Sequence, residues 1–118
     1  MKRVFNRVIS AAVNGIESKC VLVEADVSDG LPMFSMVGYL ASEVREAQDR
    51  VRTALRNSGY ALPPKHITVN LAPGDIRKSG TRFDLPIAAA VMTSYGYLPQ
   101  KSLDGIFFAG ELGLDGSV

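Results

Sequence analysis

The chain has 118 residues, a formal net charge of +1, 47% hydrophobic residues and 21% charged residues. This length suits one domain with a real core and is too short for two, and the composition excludes a disordered polyelectrolyte. The near-zero net charge restricts any nucleic-acid contact to a local cationic patch. The single cysteine and the absence of a long apolar run favour a cytoplasmic protein without a membrane partner.

The first third of the sequence predicts three strands. Residues 3–13 and 16–28 alternate between apolar and polar side chains, and Asn14-Gly15 between them is a strong hairpin signal. After a turn at residues 29–32, a third strand is predicted at residues 33–38.

Two helices are predicted further along the chain. Residues 42–58 carry apolar side chains at helical spacing, with Ser42 as the N-cap and Gly59 after the last turn. Residues 84–95 are apolar on almost every side, which is typical of a helix covered by its neighbours, and Asp84 is its predicted N-cap.

The remaining elements are strands at residues 66–72 and 105–109, and a turn at Asp115-Gly116 that predicts a terminal hairpin. The order β-β-β-α-β-α-β-β predicts an α+β fold, a mixed sheet with two helices packed on one face. We expect residues 1–118 to form a single domain truncated within its C-terminal hairpin, as a fragment of a longer protein.

Cationic residues in two places are candidates for contact with phosphate or with a protein partner. At 100° per residue, three arginines of the first helix lie together, opposite the apolar stripe. The loop before the second helix adds further cations beside Gly74 and Gly80, and leads into a helix N-terminus whose N–H groups favour an anion. The candidates are Arg45, Arg52, Arg56, Arg77, Lys78 and Arg82. The alternatives are an ordinary solvated helix face, with Glu46 pairing to Arg50, and a mobile surface loop.

The sequence contains no recognisable motif for binding a metal, a cofactor or a nucleotide. There is no G-x-x-x-x-G-K-[ST], so this chain should not bind ATP alone. His66 is the only histidine and is interpreted as a surface or edge residue, and Cys20 as a small packing residue. A metal site would require the fold to gather separate acids. These are Asp26, Asp75, Asp84 and Glu111.

Four segments resemble the N-terminal domain of the ComM/YifB family, the Mg-chelatase-like AAA+ proteins of bacteria. They are GLPMFSMVG, EAQDRVRTALRNSGY, PPKHITVNLAPGDIRKSGTRFDLPIAAAV and FAGELGLDGSV, and they cover nearly the whole chain in order. The resemblance implies a Lon-protease-like fold similar to ribosomal protein S5 domain 2, with one left-handed parallel crossover. It also implies that AAA+ and C-terminal domains follow, which are absent from this chain.

The resemblance further implies a role in DNA processing. The family is associated with a hexameric, ATP-driven helicase that moves branched recombination intermediates during natural transformation. ATP and Mg²⁺ would then belong to the absent AAA+ domain, with no cofactor in this chain. We expect a non-catalytic module that contacts DNA, its own AAA+ domain or neighbouring subunits of a homo-hexamer. The alternative is a purely structural hexamer-assembly domain.

The Lon likeness raises a third hypothesis, a residual serine peptidase. Lon-type proteases place their nucleophile in a loop that enters a helix, and the matching loop here is residues 78–84. The nucleophile's position holds Arg82, which stays protonated and cannot accept an acyl group. Degenerate protease-loop positions remain at Ser79, Gly80, Thr81 and Arg82. The family's base lysine would lie beyond Gly116.

Overall fold

The computed structural model describes residues 4–14 and 17–118. Along the chain it forms β1 (Val4–Asn14), β2 (Glu17–Ser28), β3 (Met33–Val37), α1 (Ser42–Arg45), α2 (Ala47–Asn57), β4 (His66–Ala72), α3 (Asp84–Ser94) and a 3-10 turn (Gln100–Leu103). The α+β class and the predicted order from the first strand to the apolar helix are confirmed. The predicted Asn14-Gly15 turn falls partly outside the described residues.

The strands form one mixed four-stranded sheet in the order β1-β2-β4-β3. β2 is antiparallel to both β1 and β4, whereas β3 and β4 are parallel. β4 is therefore an interior strand. His66 at its start pairs with Ser28 on one side and Met33 on the other, and is half-buried. The interpretation of His66 as an edge residue is wrong, because the parallel addition of β3 covers that edge.

The core lies on one face of the sheet. Val23 pairs with Val8 and with Leu71, and all three side chains are fully buried. α3 packs over β1 and β2, and α2 packs against α3. Three consecutive alanines of α3, residues 88–90, are buried, which lets this helix lie close to the sheet. The predicted apolar stripe of the first helix is buried as expected, including Val44 and Val51.

The predicted helix at residues 42–58 is divided at Glu46 into α1 and α2. Glu46 keeps φ −67° and ψ −15°, so the break is a local tightening and the chain continues on a helical path. Ser42 is the first helical residue, and the N-cap position belongs to Ala41, which makes no side-chain capping bond. The predicted Ser42 cap is therefore wrong by one residue.

The two last predicted strands are not formed within residues 17–118. Residues 105–109 contribute one isolated bridge, Ile9 with Phe107, and the Phe108 N–H donates to the Ile9 carbonyl at 2.9 Å. The chain then leaves the edge of β1 and crosses to α3, so no longer ladder develops. A turn does form around Gly116, where the Gly113 N–H donates to the Ser117 carbonyl at 2.8 Å, but it joins no pair of strands.

Across the described ranges, no helix has both the length and the apolar character needed to span a membrane.

Candidate functional site

The loop between β4 and α3 is held against the segment before α1. The Lys78 N–H donates to the Tyr39 carbonyl at 2.9 Å, and the Ala41 N–H donates to the Lys78 carbonyl at 2.9 Å. Leu40 and Lys78 thereby form a short parallel bridge. The loop is consequently a fixed part of the fold, in contrast to the alternative of a mobile surface segment.

Lys78 is a structural residue in this loop. Its side chain is fully buried, and its Nζ donates to the Pro73 carbonyl. Burial lowers the pKa of the Lys78 ammonium below its ordinary value. A lysine enclosed in this way cannot reach a phosphate on the surface. The prediction of Lys78 as a contact residue is therefore corrected, because the loop folds back over its own side chain.

Asp84 at the start of α3 forms a buried ion pair with Arg50 of α2. The Arg50 Nε and Nη2 donate to the two carboxylate oxygens at 2.7 and 2.9 Å, and the Leu112 N–H donates to Oδ2 at 3.2 Å. The hydrogen bond that Arg50 donates to Asp84 raises the pKa of Arg50. This pair replaces the predicted bond between Glu46 and Arg50. A sequence signal existed, since Arg50 lies beside the apolar stripe and away from the other arginines.

The N-terminus of α3 is already occupied by groups of this chain. The Leu85 N–H donates to the Gly110 carbonyl at 3.0 Å, and the Gly110 N–H donates to the Arg82 carbonyl at 2.8 Å. Phe83 holds the N-cap position and makes no side-chain capping bond, so the predicted Asp84 cap is also wrong. The expectation of an anion site at this helix end fails, because Asp84 and Gly110 lie where an anion would bind.

The degenerate protease-loop positions hold no assembled catalytic group. Gly80 has φ +82°, and its N–H donates to Glu43 Oε2 at 2.8 Å. This bond lowers the pKa of Glu43, with a smaller contribution from the charge of Arg77. The Thr81 hydroxyl donates to Glu111 Oε1 at 2.6 Å. Ser79 is exposed and has no hydrogen-bonded base in the described part of the chain.

His66 is also far from the position of a general base. It lies at the first residue of β4, whereas the loop leaves from the last. A seven-residue strand spans roughly 20 Å at about 3.3 Å per residue. The described residues therefore offer no pairing of Ser79 or Thr81 with a histidine.

The predicted arginines differ in their surroundings. Arg52 lies over the Phe34 ring, 5.5 Å from its centroid, in a cation–π contact. Arg45, Arg56 and Arg77 are exposed, and Arg82 is half-buried. Within residues 4–14 and 17–118, the guanidinium groups of these last four make no hydrogen bond or ion pair. Their charges remain available to an external anion.

A cavity of about 440 Å³ opens beside the loop. Its polar lining comes from three separate parts of the chain, namely Lys19 on β2, Tyr39 before α1, and Asp75, Arg77 and Ser79 in the loop. Only Arg77 and Ser79 among these belong to the residues singled out from the sequence as contact or protease-loop positions. No local pattern could have added Lys19 and Tyr39, because the fold alone brings them to the loop.

Metal binding receives no structural support in the described residues, where no three His, Cys, Asp or Glu side chains gather into a possible metal site. Two of the four acids considered from the sequence serve other contacts, as Asp84 binds Arg50 and Glu111 accepts a hydrogen bond from Thr81. Cys20 is exposed on the sheet, so its interpretation as a packing residue is wrong.

Comparison with known proteins gives one family match and several relatives. The profile of the family described as subunit ChlI of Mg-chelatase matches residues 23–118. The Escherichia coli (strain K12) protein named "Uncharacterized protein YifB" is 46% identical over 107 residues, which cover 91% of this chain and 21% of that protein. "Competence protein ComM" of Haemophilus influenzae is 44% identical over 111 residues, which cover 94% of this chain and 22% of that protein. The chain thus spans about a fifth of the length of these relatives.

Proposed function

The chain belongs to the Mg-chelatase-like ComM/YifB family, as its N-terminal domain, and from this premise we propose that it is a non-catalytic module through which an AAA+ motor contacts DNA. ATP and Mg²⁺ would be used by the AAA+ domain of the full-length protein, which would act as a cytoplasmic homo-hexamer. This module would touch the phosphates of the DNA that the motor moves.

The observation that carries the proposal is a set of exposed arginines that make no hydrogen bond or ion pair within residues 4–14 and 17–118. Other cationic side chains form ion pairs within the chain, as Arg50 does with Asp84 and Lys65 does with Asp29, each at 2.7 Å. Arg45, Arg56 and Arg77 have no such partner in the described ranges. Guanidinium groups match phosphate oxygens in shape and charge, and phosphate contacts dominate the affinity of proteins for DNA.

The non-catalytic role is supported by the residues of the former protease loop. Arg82 stands where the nucleophile of a Lon-type protease would stand, and an arginine cannot form an acyl intermediate. Thr81 is bonded to Glu111, and Lys78 is enclosed beneath the loop. The geometry thus favours a fixed contact surface over a residual peptidase.

The test is the salt dependence of duplex DNA binding by the 118-residue chain. Each phosphate contact should contribute about −0.9 to the slope of log K against log salt concentration. Replacing Arg45, Arg56 and Arg77 together by alanine should reduce the slope by about 0.9 for each arginine that meets a phosphate. Lys65→Ala is the matched control, because it removes one positive charge that is already paired with Asp29. No binding at low salt, or an equal loss in the control, would overturn the proposal.

A second candidate function is assembly of the ring, favoured by the apolar surface around β3. Leu31, Met33 and Val37 are 83%, 51% and 47% exposed, and Phe34, whose ring lies under Arg52, belongs to the same strand as Met33 and Val37. Exposed apolar groups of this kind suit a protein neighbour better than DNA. Arg52→Glu in the full-length protein should then dissociate the hexamer, measured by light scattering, while the 118-residue chain shows no DNA binding.

A further inference from the structure

We propose that the cavity beside the loop is a subsite for one nucleotide of an unpaired DNA strand. The base would lie against Tyr39, and its phosphate would lie beside Arg77 and Lys19. This inference rests on the proposed DNA contact and specifies which form of DNA the loop surface prefers.

The size and shape of the cavity favour a single nucleotide. Its volume of about 440 Å³ falls within the roughly 300–1,000 Å³ that is usual for small-ligand sites. The bases of a duplex face inward and are paired, so a duplex would meet the exposed arginines through its outer phosphates and leave the cavity unfilled. Only an unpaired base can turn into a concave site of this kind.

The walls of the cavity carry complementary chemistry. Tyr39 is 53% exposed and offers an aromatic ring, as expected for a surface on which a base stacks. Lys19 and Arg77 supply positive charge for the phosphate, and the Ser79 hydroxyl is a further donor. Asp75 repels a phosphate and accepts a hydrogen bond from a base amino group, which orients the nucleotide with its base edge toward the carboxylate.

The cavity is also held in shape before any ligand arrives. The hydrogen bond from the Lys78 N–H to the Tyr39 carbonyl and the Leu40–Lys78 bridge fix the two walls relative to each other. The buried Lys78 ammonium fastens the loop to Pro73. A site with fixed walls loses little conformational entropy on binding, so a single stacked base can contribute measurably to affinity.

The experiment measures, by fluorescence anisotropy, how tightly the unaltered chain and the Tyr39→Ala variant bind a 12-nucleotide DNA. The same DNA is offered once as a single strand and once as a duplex. Loss of one base–aromatic stack should weaken single-strand binding by roughly fivefold to a hundredfold, with duplex affinity changed less than about twofold. Tyr39→Trp should restore single-strand binding. Tyr60→Ala is the control, since Tyr60 packs edge-on against Tyr97 in another part of the fold. Circular dichroism verifies that each variant is folded.

The outcomes separate this inference from the proposed function. Equal weakening of both DNA forms by Tyr39→Ala, or no weakening of either, overturns the subsite even where the arginine variant still lowers the salt slope. Absence of binding by the unaltered chain overturns the subsite and the DNA-contact module together. Selective loss on the single strand with rescue by tryptophan supports both.

Discussion

Replacing Arg50 by methionine should cost this domain a large part of its stability. The change keeps most of the side-chain volume and removes the guanidinium that binds Asp84. Asp84 would then remain at the start of α3 with the Leu112 N–H as its other hydrogen-bond donor. Its side chain is 1% exposed, so water cannot easily replace the lost partner.

The expected magnitude follows from the burial of the pair. Removing one partner of a buried ion pair costs about 3–5 kcal/mol. The Arg50 side chain is 22% exposed, so water already screens part of the attraction, and we expect the lower end, about 3 kcal/mol. A domain of this size has a total stability of about 5–15 kcal/mol, and about 3 kcal/mol corresponds to a Tm lower by about 12 °C.

The assay is urea unfolding at pH 7, followed by circular dichroism, in a double-mutant cycle with Asp84→Asn. The double variant should be more stable than the sum of the single losses predicts, by about 1.5 kcal/mol or more. Arg45→Met is the control, because Arg45 is exposed and its loss should cost under about 0.5 kcal/mol. Equal losses for Arg50→Met and Arg45→Met, or an additive cycle, would refute the reasoning.

The remaining predictions concern pH and backbone geometry. The Gly80 N–H lowers the pKa of Glu43, so the Glu43 carboxylate stabilises the fold at pH values above its ordinary pKa of 4.5. This contribution is lost as the pH falls through the lowered pKa. Glu43→Gln should therefore be less stable than the unaltered chain at pH 7, and the difference should shrink as the pH falls below 4.5; a difference that does not shrink in acid contradicts this. Gly38→Ala should cost about 2 kcal/mol or more, since Gly38 has φ +136° and an added Cβ would lie 2.9 Å from the Leu71 carbonyl oxygen. Gly80→Ala, with φ +82° and open space around it, should cost only about 1 kcal/mol, and equal costs in urea unfolding would count against the steric argument.

The sequence predicts those parts of the fold whose cause is local. Alternation places Val23 and Leu71 on the buried face of the sheet, and helical spacing places Val51 in the core. These patterns reflect the geometry of one element at a time. The predicted strand at residues 105–109 does not form, because its strand propensity is a local property. Contacts that the chain makes with α3 outweigh that propensity.

The candidate site was only partly predictable, because its geometry depends on contacts between distant segments. The exposed arginines could be named from helical periodicity and from the composition of the loop. The burial of Lys78 could not, since lysine is almost never fully buried and no local pattern marks the exception. The meeting of Tyr39 with Arg77 likewise depends on a backbone bridge between two loops.

The bond between the start of α3 and Gly110 bears on the order in which the domain assembles during synthesis. The Gly110 carbonyl accepts from the Leu85 N–H, and the Leu112 N–H donates to Asp84, yet the rest of α3 and the 3-10 turn lie between these partners in the chain. At roughly 5–20 residues per second, the ribosome completes α3 about a second or more before Gly110 is added. When α3 has just been translated, its first turn lacks these two hydrogen bonds, and its anchoring waits until Gly110 and Leu112 have been added.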